Sequence, residues 1–422
     1  MTSMKRGNKT SRQARGVAAG ALMAFASVAL GAATSPAALA APTAGAFHPL
    51  SVTFVSLSTG WALGTVPCKN AGACLALSET INAGHSWQAR PLPARLAAQA
   101  DRTVTNGVPK GTPGSISLPA ALSGSPGLEV RFANRLDGWI YGGLPISPSS
   151  EQAVLWSTHN GGTSWRQIPV LPGRILAYSG DVLDLEATSG TAYLMAPNNS
   201  GSVTVESSPI SSDSWHIDST PPLGNPAGGG QQEGAFVFQG GKGWLVEGNN
   251  RSVAGSAELV GNGKWSSWAA PCSKVGNSFS VPTAPSATNL AAVCQMGGFA
   301  FPLPKSAPKG ATIGSYWLYF STNGGKTFSA GPKLGGSGYQ FNGIIASPKA
   351  GTIFLGSGST GLVGSFNGGR SWASSYKGDF FYVGFTSENQ GVGLLRTSAS
   401  NAASTEMVMT FDAGKHWARV TF

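Results

Sequence analysis

The sequence predicts an all-β fold built from repeated antiparallel sheets, and three features indicate it. Charged residues make up only 11% of the 422 residues, whereas Gly and Trp are abundant, at 59 and 12; such a composition is typical of all-β proteins. A β-rich segment that often ends in Gly-Trp recurs, as in TFVSLSTGWALG from residue 53. A turn-like motif follows it at TINAGHSW (80–87), THNGGTSW (158–165), STNGGKTF (321–328), SFNGGRSW (365–372) and TFDAGKHW (410–417).

The motif divides the chain into seven units. Two degenerate copies, one ending at Trp215 and one at Trp265 or Trp268, fill the gap between the second and third clear copies. Each unit reads strand A, a short turn, strand B, a variable loop, strand C, the recurring turn and strand D. Seven units at a period of about 45 to 50 residues predict a single seven-bladed β-propeller of four-stranded antiparallel blades. We expect the ring to close without strand exchange, although residues 41–52 could instead add a strand to the last blade.

The pattern S/T-x-D/N-x-G-x-S/T-W resembles the BNR or Asp-box repeat of sialidase-like propellers. Together with the segment F-x-S-x-x-x-G-W-x-x-G, it resembles exported propellers of the photosystem II assembly-factor group. The resemblance covers about 45–422. It implies the propeller fold, and a chaperoning or binding role in place of substrate turnover.

The motif itself is interpreted as structural. An Asx side chain accepts hydrogen bonds from nearby backbone N–H groups, the Gly adopts a positive φ, and the terminal aromatic ring packs against the blade. Four of the five Asx residues are Asn, which is no general base, so a catalytic or calcium role is disfavoured. The motif histidines, such as His159, are expected to be solvated. The structural residues are Asn82, Gly84, Trp87, Asn160, Gly162, Trp165, Asn323, Gly325, Phe328, Asn367, Gly369, Trp372, Asp412, Gly414 and Trp417.

The first forty residues read as a secretory signal peptide, with five basic residues, an apolar run and an Ala38-Leu39-Ala40 cleavage signal. An uncleaved anchor is the alternative. No integral membrane segment is expected in the mature chain, which is predicted to be secreted, either extracellular or in the cell envelope. Removing the five basic residues leaves 23 Lys and Arg against 18 Asp and Glu. This balance, and the absence of a basic cluster interleaved with aromatic residues, disfavour nucleic acid as a partner.

Four cysteines fall into two near pairs. In an exported chain we interpret them as two disulfides, Cys68 with Cys74 and Cys272 with Cys294, although the other two pairings remain open. A zinc site is the alternative, disfavoured by the spacing and by the oxidising compartment. No metal or other cofactor is predicted.

Antiparallel strands place the D-to-A connections and B-to-C loops on one rim, here called the loop rim. The A-to-B turns and the recurring C-to-D turns lie on the other, the turn rim. Long connections gather on the loop rim, including a low-complexity insert at 92–128 between blades 1 and 2. This rim is also moderately basic, which favours a protein or glycan ligand, in particular an anionic one. The candidate binding residues are Arg95, Arg102, Arg174, Arg251, Tyr376 and Arg396.

An enzyme is the alternative hypothesis. A glycoside hydrolase of the sialidase-like type needs an arginine cluster, a Tyr–Glu pair and an acid, and the residues at Tyr339, Tyr376 and Tyr382 have no Glu placed beside them by a motif. A two-aspartate xyloglucanase needs a cleft between two propellers, and one is predicted. No catalytic residues are therefore assigned, and a non-enzymatic binding propeller is the favoured hypothesis.

Overall fold

The structure, a computed structural model, describes part of the chain only. Its residues are 47–68, 72–93, 96, 127–147, 150–169, 175–176, 184–188, 190–197, 203–218, 233–249, 252–260, 264–273, 282–296, 303, 305, 307–334, 341–357, 361–397 and 404–422. The predicted signal peptide lies outside these residues, as does most of the 92–128 insert. Within that insert Leu96 is described, and it is fully buried between blades 1 and 2.

Seven antiparallel sheets follow one another along the chain, each with its strands in chain order. Together they form a seven-bladed β-propeller, as predicted.

The blades contain the following strands. Blade 1 has β1 (His48–Phe54), β2 (Gly60–Cys68), β3 (Gly72–Thr80) and β4 (Gln88–Arg90). Blade 2 has β5 (Leu128–Phe132), β6 (Gly138–Ser147), β7 (Ser150–Thr158), β8 (Arg166–Ile168) and β9 (Ile175–Leu176). Blade 3 has β10 (Asp184–Ala187), β11 (Thr191–Pro197), β12 (Val203–Pro209) and β13 (His216–Ile217). Blade 4 has β14 (Glu233–Gln239), β15 (Lys242–Asn249), β16 (Ser252–Leu259) and β17 (Trp265–Ser267). Blade 5 has β18 (Leu290–Met296), β19 (Ser315–Ser321) and β20 (Ser329–Lys333). Blade 6 has β21 (Phe341–Lys349), β22 (Thr352–Ser357), β23 (Gly361–Ser365) and β24 (Ala373–Tyr376). Blade 7 has β25 (Asp379–Phe385), β26 (Gly391–Arg396), β27 (Thr405–Thr410) and β28 (Ala418–Arg419).

Two blades depart from four strands. In blade 2 the short β9 pairs with β7 as a fifth strand. In the described part of blade 5, the segment expected to form strand A pairs with β18 only through an isolated bridge between Thr283 and Ala291. The prolines on either side, Pro282 and Pro285, have no N–H to donate to a ladder, which explains why pairing does not extend.

The recurring Gly-Trp pair begins strand B because the two positions have opposite packing demands. Trp61, Trp139 and Trp244 are each at most 1% exposed and fill the space between blades. Trp61 stacks on Phe132 of the next blade with ring centroids 3.7 Å apart. The preceding Gly60 lies opposite Phe54, whose ring a Cβ would meet at 2.7 Å. A side chain at the Gly position would therefore displace the aromatic ring of strand A.

The first and last blades meet without sharing a strand, since β1 pairs within blade 1 and β28 within blade 7. Side chains make the junction. The Thr405 hydroxyl donates to the Pro49 carbonyl at 2.6 Å, and the Phe422 ring lies 4.3 Å from that of Phe47. Of residues 41–52, which could have added a strand to the last blade, residues 48–52 lie in β1 of blade 1, and residues 41–46 lie outside the described part of the chain.

A disulfide joins Cys272 to Cys294, as one of the two predicted pairs. Both cysteines are buried, beside Met296 and Tyr319, so the bond lies inside blade 5 and not on an exposed loop. It ties the connection from blade 4 to β18, in the blade whose strand A is reduced to a bridge. Cys74 is also disulfide-bonded. The side chain of its predicted partner, Cys68, lies outside the described part.

Candidate functional site

The recurring turn has one hydrogen-bond pattern in all five clear copies. The Asx Oδ1 accepts from the backbone N–H four residues later, at 2.9–3.0 Å. The hydroxyl that begins each motif accepts from the Gly N–H at 2.8–3.0 Å. The five Gly residues have φ between 82° and 85°, which favours glycine. These bonds are internal to the turn, and they occupy the Asx oxygen that a ligand or metal would need.

Each turn is also attached to the A-to-B turn of its own blade. A backbone N–H in the motif donates to a carbonyl of that turn at 2.8–2.9 Å, as in Ala83 to Ser58 and Gly161 to Leu136. The same bond is made in blades 5, 6 and 7. Both kinds of turn therefore lie on one rim of the ring, and the loops that connect strands B to C and D to A lie on the other.

The innermost strands bring together a polar group that we call the inner cluster. It consists of Glu129, Arg131, Tyr141, Asp184, Glu186 and Tyr382. In β5, Leu128, Val130 and Phe132 are buried, and the residues between them project from the opposite face. Strand β10 contributes its first and third residues in the same way. Because β25 belongs to blade 7 and β5 to blade 2, the contact between Tyr382 and Arg131 reaches past blade 1.

Arg131 connects the members of the inner cluster. Its guanidinium lies 2.8 Å from a carboxylate oxygen of Glu186 and donates to the Leu185 carbonyl at 3.2 Å. Its side chain also hydrogen-bonds with Tyr382. The Tyr141 hydroxyl donates to Glu129 at 3.0 Å. The side chains of Arg131 and Glu186 remain 21% and 25% exposed, so solvent reaches the cluster inside the ring.

Three carboxyl groups share this one arginine, and their acidity is weakened. Burial, and after it the neighbouring carboxylate of Asp184, raise the pKa of Glu129 to about 7. Burial also raises the pKa of Glu186 to about 7, although Arg131 opposes the rise. The pKa of Asp184 is raised by burial as well, despite the 2.7 Å hydrogen bond it accepts from the Phe236 N–H. Near neutral pH the cluster therefore holds exchangeable protons and offers both donors and acceptors.

The candidate binding residues from the sequence are only partly described. Arg95, Arg102, Arg174 and Arg251 lie outside the described residues. Tyr376 packs edge-to-face on Phe380, with ring centroids 5.9 Å apart. Arg396 contacts Asp379 at 3.3 Å and lies over the Phe381 ring. Its charge is therefore already paired at the loop-rim end of blade 7.

Sequence reasoning missed the inner cluster. A tyrosine beside a glutamate was sought among the residues of the rim. The pair that forms is Tyr141 with Glu129, on neighbouring strands of blade 2. The sequence feature that could have indicated the cluster is the alternation of apolar and charged residues in LEVRF (128–132). This segment forms the innermost strand of its blade, so its charged residues also lie inside the ring. His159 is exposed, as expected, and it also has two aspartate partners. It lies 2.7 Å from Asp137 and 3.5 Å from Asp213, so it bridges blades 2 and 3.

A serine, a histidine and an aspartate also meet at the outer edge of blade 3. Ser207 donates to Asp218 at 2.6 Å and lies 3.3 Å from His216 Nε2. Asp218 approaches the same Nε2, at 3.7 Å, while Nδ1 faces the Ser214 carbonyl. A catalytic relay needs the aspartate on the nitrogen opposite the serine. This arrangement is therefore a polar contact at a strand edge.

Within the described ranges, no three His, Cys, Asp or Glu side chains are arranged to hold a metal ion. The same part of the chain contains no helix with the length and apolar character needed to cross a membrane.

Comparison with known proteins gives the fold and no family. No family model and no curated protein sequence matches the chain. Among solved structures, YCF48 bound to D1 peptide is 16% identical, with a TM-score of 0.51, covering 88% of this chain and 99% of that one. The BP39L lectin from Burkholderia pseudomallei is 11% identical, with a TM-score of 0.52 and coverages of 88% and 98%. A polysaccharide lyase, PL25 ulvan lyase, is 11% identical, with a TM-score of 0.51 and coverages of 90% and 96%.

The seven sheets define the class, a seven-bladed β-propeller, and the fold is similar to those of YCF48, the BP39L lectin and the PL25 ulvan lyase. At sequence identities this low, structural similarity establishes the fold and does not establish the activity.

Proposed function

We propose that the chain is an exported, non-enzymatic propeller that binds a protein or an anionic glycan of the cell envelope through its loop rim. The inner cluster carries this proposal. Most of its members lie on the innermost strands of blades 2, 3 and 7, which start at the loop rim, and the side chains of Arg131 and Glu186 remain partly exposed to solvent. Such a set suits the hydroxyl and amide groups of a sugar or peptide segment.

The charge around the cluster supports an anionic ligand. The loop rim carries exposed lysines at Lys305, Lys309, Lys333 and Lys377. Among the described residues none of the four enters an ion pair. Two of the similar structures are of binding proteins, YCF48 in complex with a peptide and the BP39L lectin. Export is supported by the buried Cys272–Cys294 disulfide, since such bonds persist in oxidising compartments.

Binding to a lipid-extracted cell-envelope fraction tests the proposal. Changing the four loop-rim lysines to Glu together should reduce retention about tenfold or more, and added salt should weaken retention of the unmodified protein. Arg370→Glu with Lys415→Glu, on the turn rim, is the matched control and should leave retention unchanged. Equal retention of all three proteins would contradict binding through the loop rim. Pre-treating the fraction with protease then separates a protein ligand from a glycan.

A glycoside hydrolase is the second candidate, because Tyr141 and Glu129 form the tyrosine–glutamate pair that such an enzyme requires. Two features favour binding over hydrolysis. Burial raises the pKa of Tyr141 well above its usual value, which keeps the phenol neutral and weakly nucleophilic. Arg131 is also the one arginine in the described inner cluster, whereas a sialidase needs several. Turnover of a fluorogenic sialoside that disappears in Tyr141→Phe would establish the enzyme.

A further inference from the structure

The turn rim carries exposed apolar side chains in a regular arrangement. Leu57, Ile81, Leu136, Phe366 and Phe411 are between 47% and 59% exposed. Ile81, Phe366 and Phe411 occupy the second position of the recurring motif, in blades 1, 6 and 7. Leu57 and Leu136 lie in the A-to-B turns of blades 1 and 2. These five residues, here called the apolar arc, thus extend over four consecutive blades.

A basic residue accompanies the apolar one in the same turns. Four residues after Phe366 and Phe411 come Arg370 and Lys415, both exposed. The same position holds His85 after Ile81 and Lys326 in blade 5. His85 stacks on Phe411 with ring centroids 6.4 Å apart, which joins the turns of blades 7 and 1. One turn of chain therefore presents an apolar and a basic side chain side by side.

The surroundings are also basic. Exposed Arg135 lies in the A-to-B turn of blade 2, and exposed Lys349 ends strand A of blade 6 beside the next such turn. Among the described residues, neither of them forms an ion pair, and neither do Arg370 and Lys415. The acids are few or already paired. Asp412 contacts His416, Asp137 and Asp213 are buried against His159, and Glu388 is the exposed carboxylate of this region.

The geometry points to a flat partner. The five clear turns have the same internal hydrogen bonds and the same attachment to their blades, so each second position has the same place relative to its own sheet. In blades 6 and 7 the apolar side chain shares its turn with an exposed basic residue, Arg370 or Lys415. A bilayer with anionic headgroups accommodates this pattern, since single Phe, Leu and Ile side chains enter the interface while Lys and Arg contact phosphates.

We propose that the turn rim is a membrane-contacting surface, which docks on an anionic lipid bilayer through the apolar arc and the basic residues beside it. This role is independent of ligand binding at the loop rim. Docking on this rim leaves the loop rim and the inner cluster facing away from the lipid.

Vesicle co-sedimentation tests the proposal. The mature protein should sediment with phosphatidylcholine vesicles that contain phosphatidylglycerol and much less with phosphatidylcholine alone. Phe366→Ser with Phe411→Ser should reduce the bound fraction about tenfold or more, because the inserted rings are lost. Arg370→Glu with Lys415→Glu should reduce it to a similar extent, and high salt should remove the charge-dependent part.

The matched control is Ile313→Ser, which removes an apolar side chain 61% exposed on the opposite rim, and it should bind like the unmodified protein. Lys305→Glu with Lys309→Glu is the control for charge. The melting temperature of each variant verifies that it is folded. We expect folded variants because the substituted side chains are exposed. Equal binding to neutral and anionic vesicles, no binding, or an equal loss in the controls would overturn the proposal. So would sedimentation velocity without lipid that shows a dimer abolished by the Phe variants, since the arc would then be an interface between two copies.

Discussion

The two rims of the ring are built differently. On the turn rim, one hydrogen-bonded turn recurs in at least five blades with distances that differ by at most 0.2 Å. On the loop rim, connections differ in length from blade to blade, and a buried disulfide reinforces one of them. The turn geometry is repeated from blade to blade, yet it leaves the second and sixth positions of the motif free to vary. Those positions carry the apolar and basic side chains, so a structural repeat can also present a surface.

The largest effect is expected from filling a turn glycine. Gly414 has φ of 83°, and a Cβ there would overlap the Phe354 ring. Gly414→Ala should lower the free energy of unfolding by about 3–5 kcal/mol, from backbone strain and overpacking together. Gly351→Ala is the control, because its φ of 80° is similar and no atom lies within 4 Å of the added Cβ. It should cost about 1–2 kcal/mol. Urea unfolding measures both, and equal losses would show that the turns are not packed against their neighbours.

Removing the buried disulfide tests how much it stabilises the loop-rim connection that precedes blade 5. Cys272→Ser with Cys294→Ser should lower the unfolding free energy by about 2–4 kcal/mol, because the bond closes a segment of 22 residues. Cys74→Ser should cost less if its bond closes the shorter predicted loop. Denaturant midpoints give the comparison. An unchanged midpoint in the double variant would mean that strand pairing alone holds blade 5.

The inner cluster predicts a pH dependence of the free energy of unfolding. Glu129 and Glu186 have a pKa of about 7 when folded, above the 4.5 of the unfolded chain. Between these two pH values the folded state binds more protons than the unfolded state, so protonation of the two carboxyl groups stabilises the fold. This contribution to the free energy of unfolding is complete below about pH 4.5 and is lost as the pH rises through 7. The loss is on the order of 2–3 kcal/mol per carboxyl.

Glu129→Gln with Glu186→Gln should flatten this dependence. The measurement is the free energy of unfolding at about pH 5 and about pH 8. Glu388→Gln, an exposed change on the turn rim, is the control and should follow the unmodified protein. An unmodified protein that gains stability toward pH 8 would contradict the raised pKa values.

The smallest effect is expected at Arg396. The side chains of Arg396 and Asp379 are 31% and 45% exposed, so their ion pair is screened by solvent. Arg396→Ala should change the unfolding free energy by less than about 1 kcal/mol. A calorimetric loss above about 2 kcal/mol would place this pair in the core of the fold.

The fold could be predicted because the repeat encodes it directly. Asn82 and Gly84 specify a turn through local hydrogen bonds and a positive φ, and Trp61 specifies a buried position between blades. The inner cluster could not be predicted in the same way. Arg131 meets Glu186 and Tyr382 across blades that are distant in sequence, and the three have no common motif. Polar residues in alternation normally indicate a solvated face, and only the ring places them at its centre. The reduced strand A of blade 5 was signalled by Pro282 and Pro285, whose effect on pairing was not considered.

The junction between the first and last blades has a mechanical consequence. Because Thr405, Pro49, Phe47 and Phe422 join two complete sheets, parting them breaks no backbone ladder. The ring can open at this junction while all seven sheets stay intact. We expect this junction to close after the sheets have formed, and stretching the chain from its ends should release it before any blade unravels.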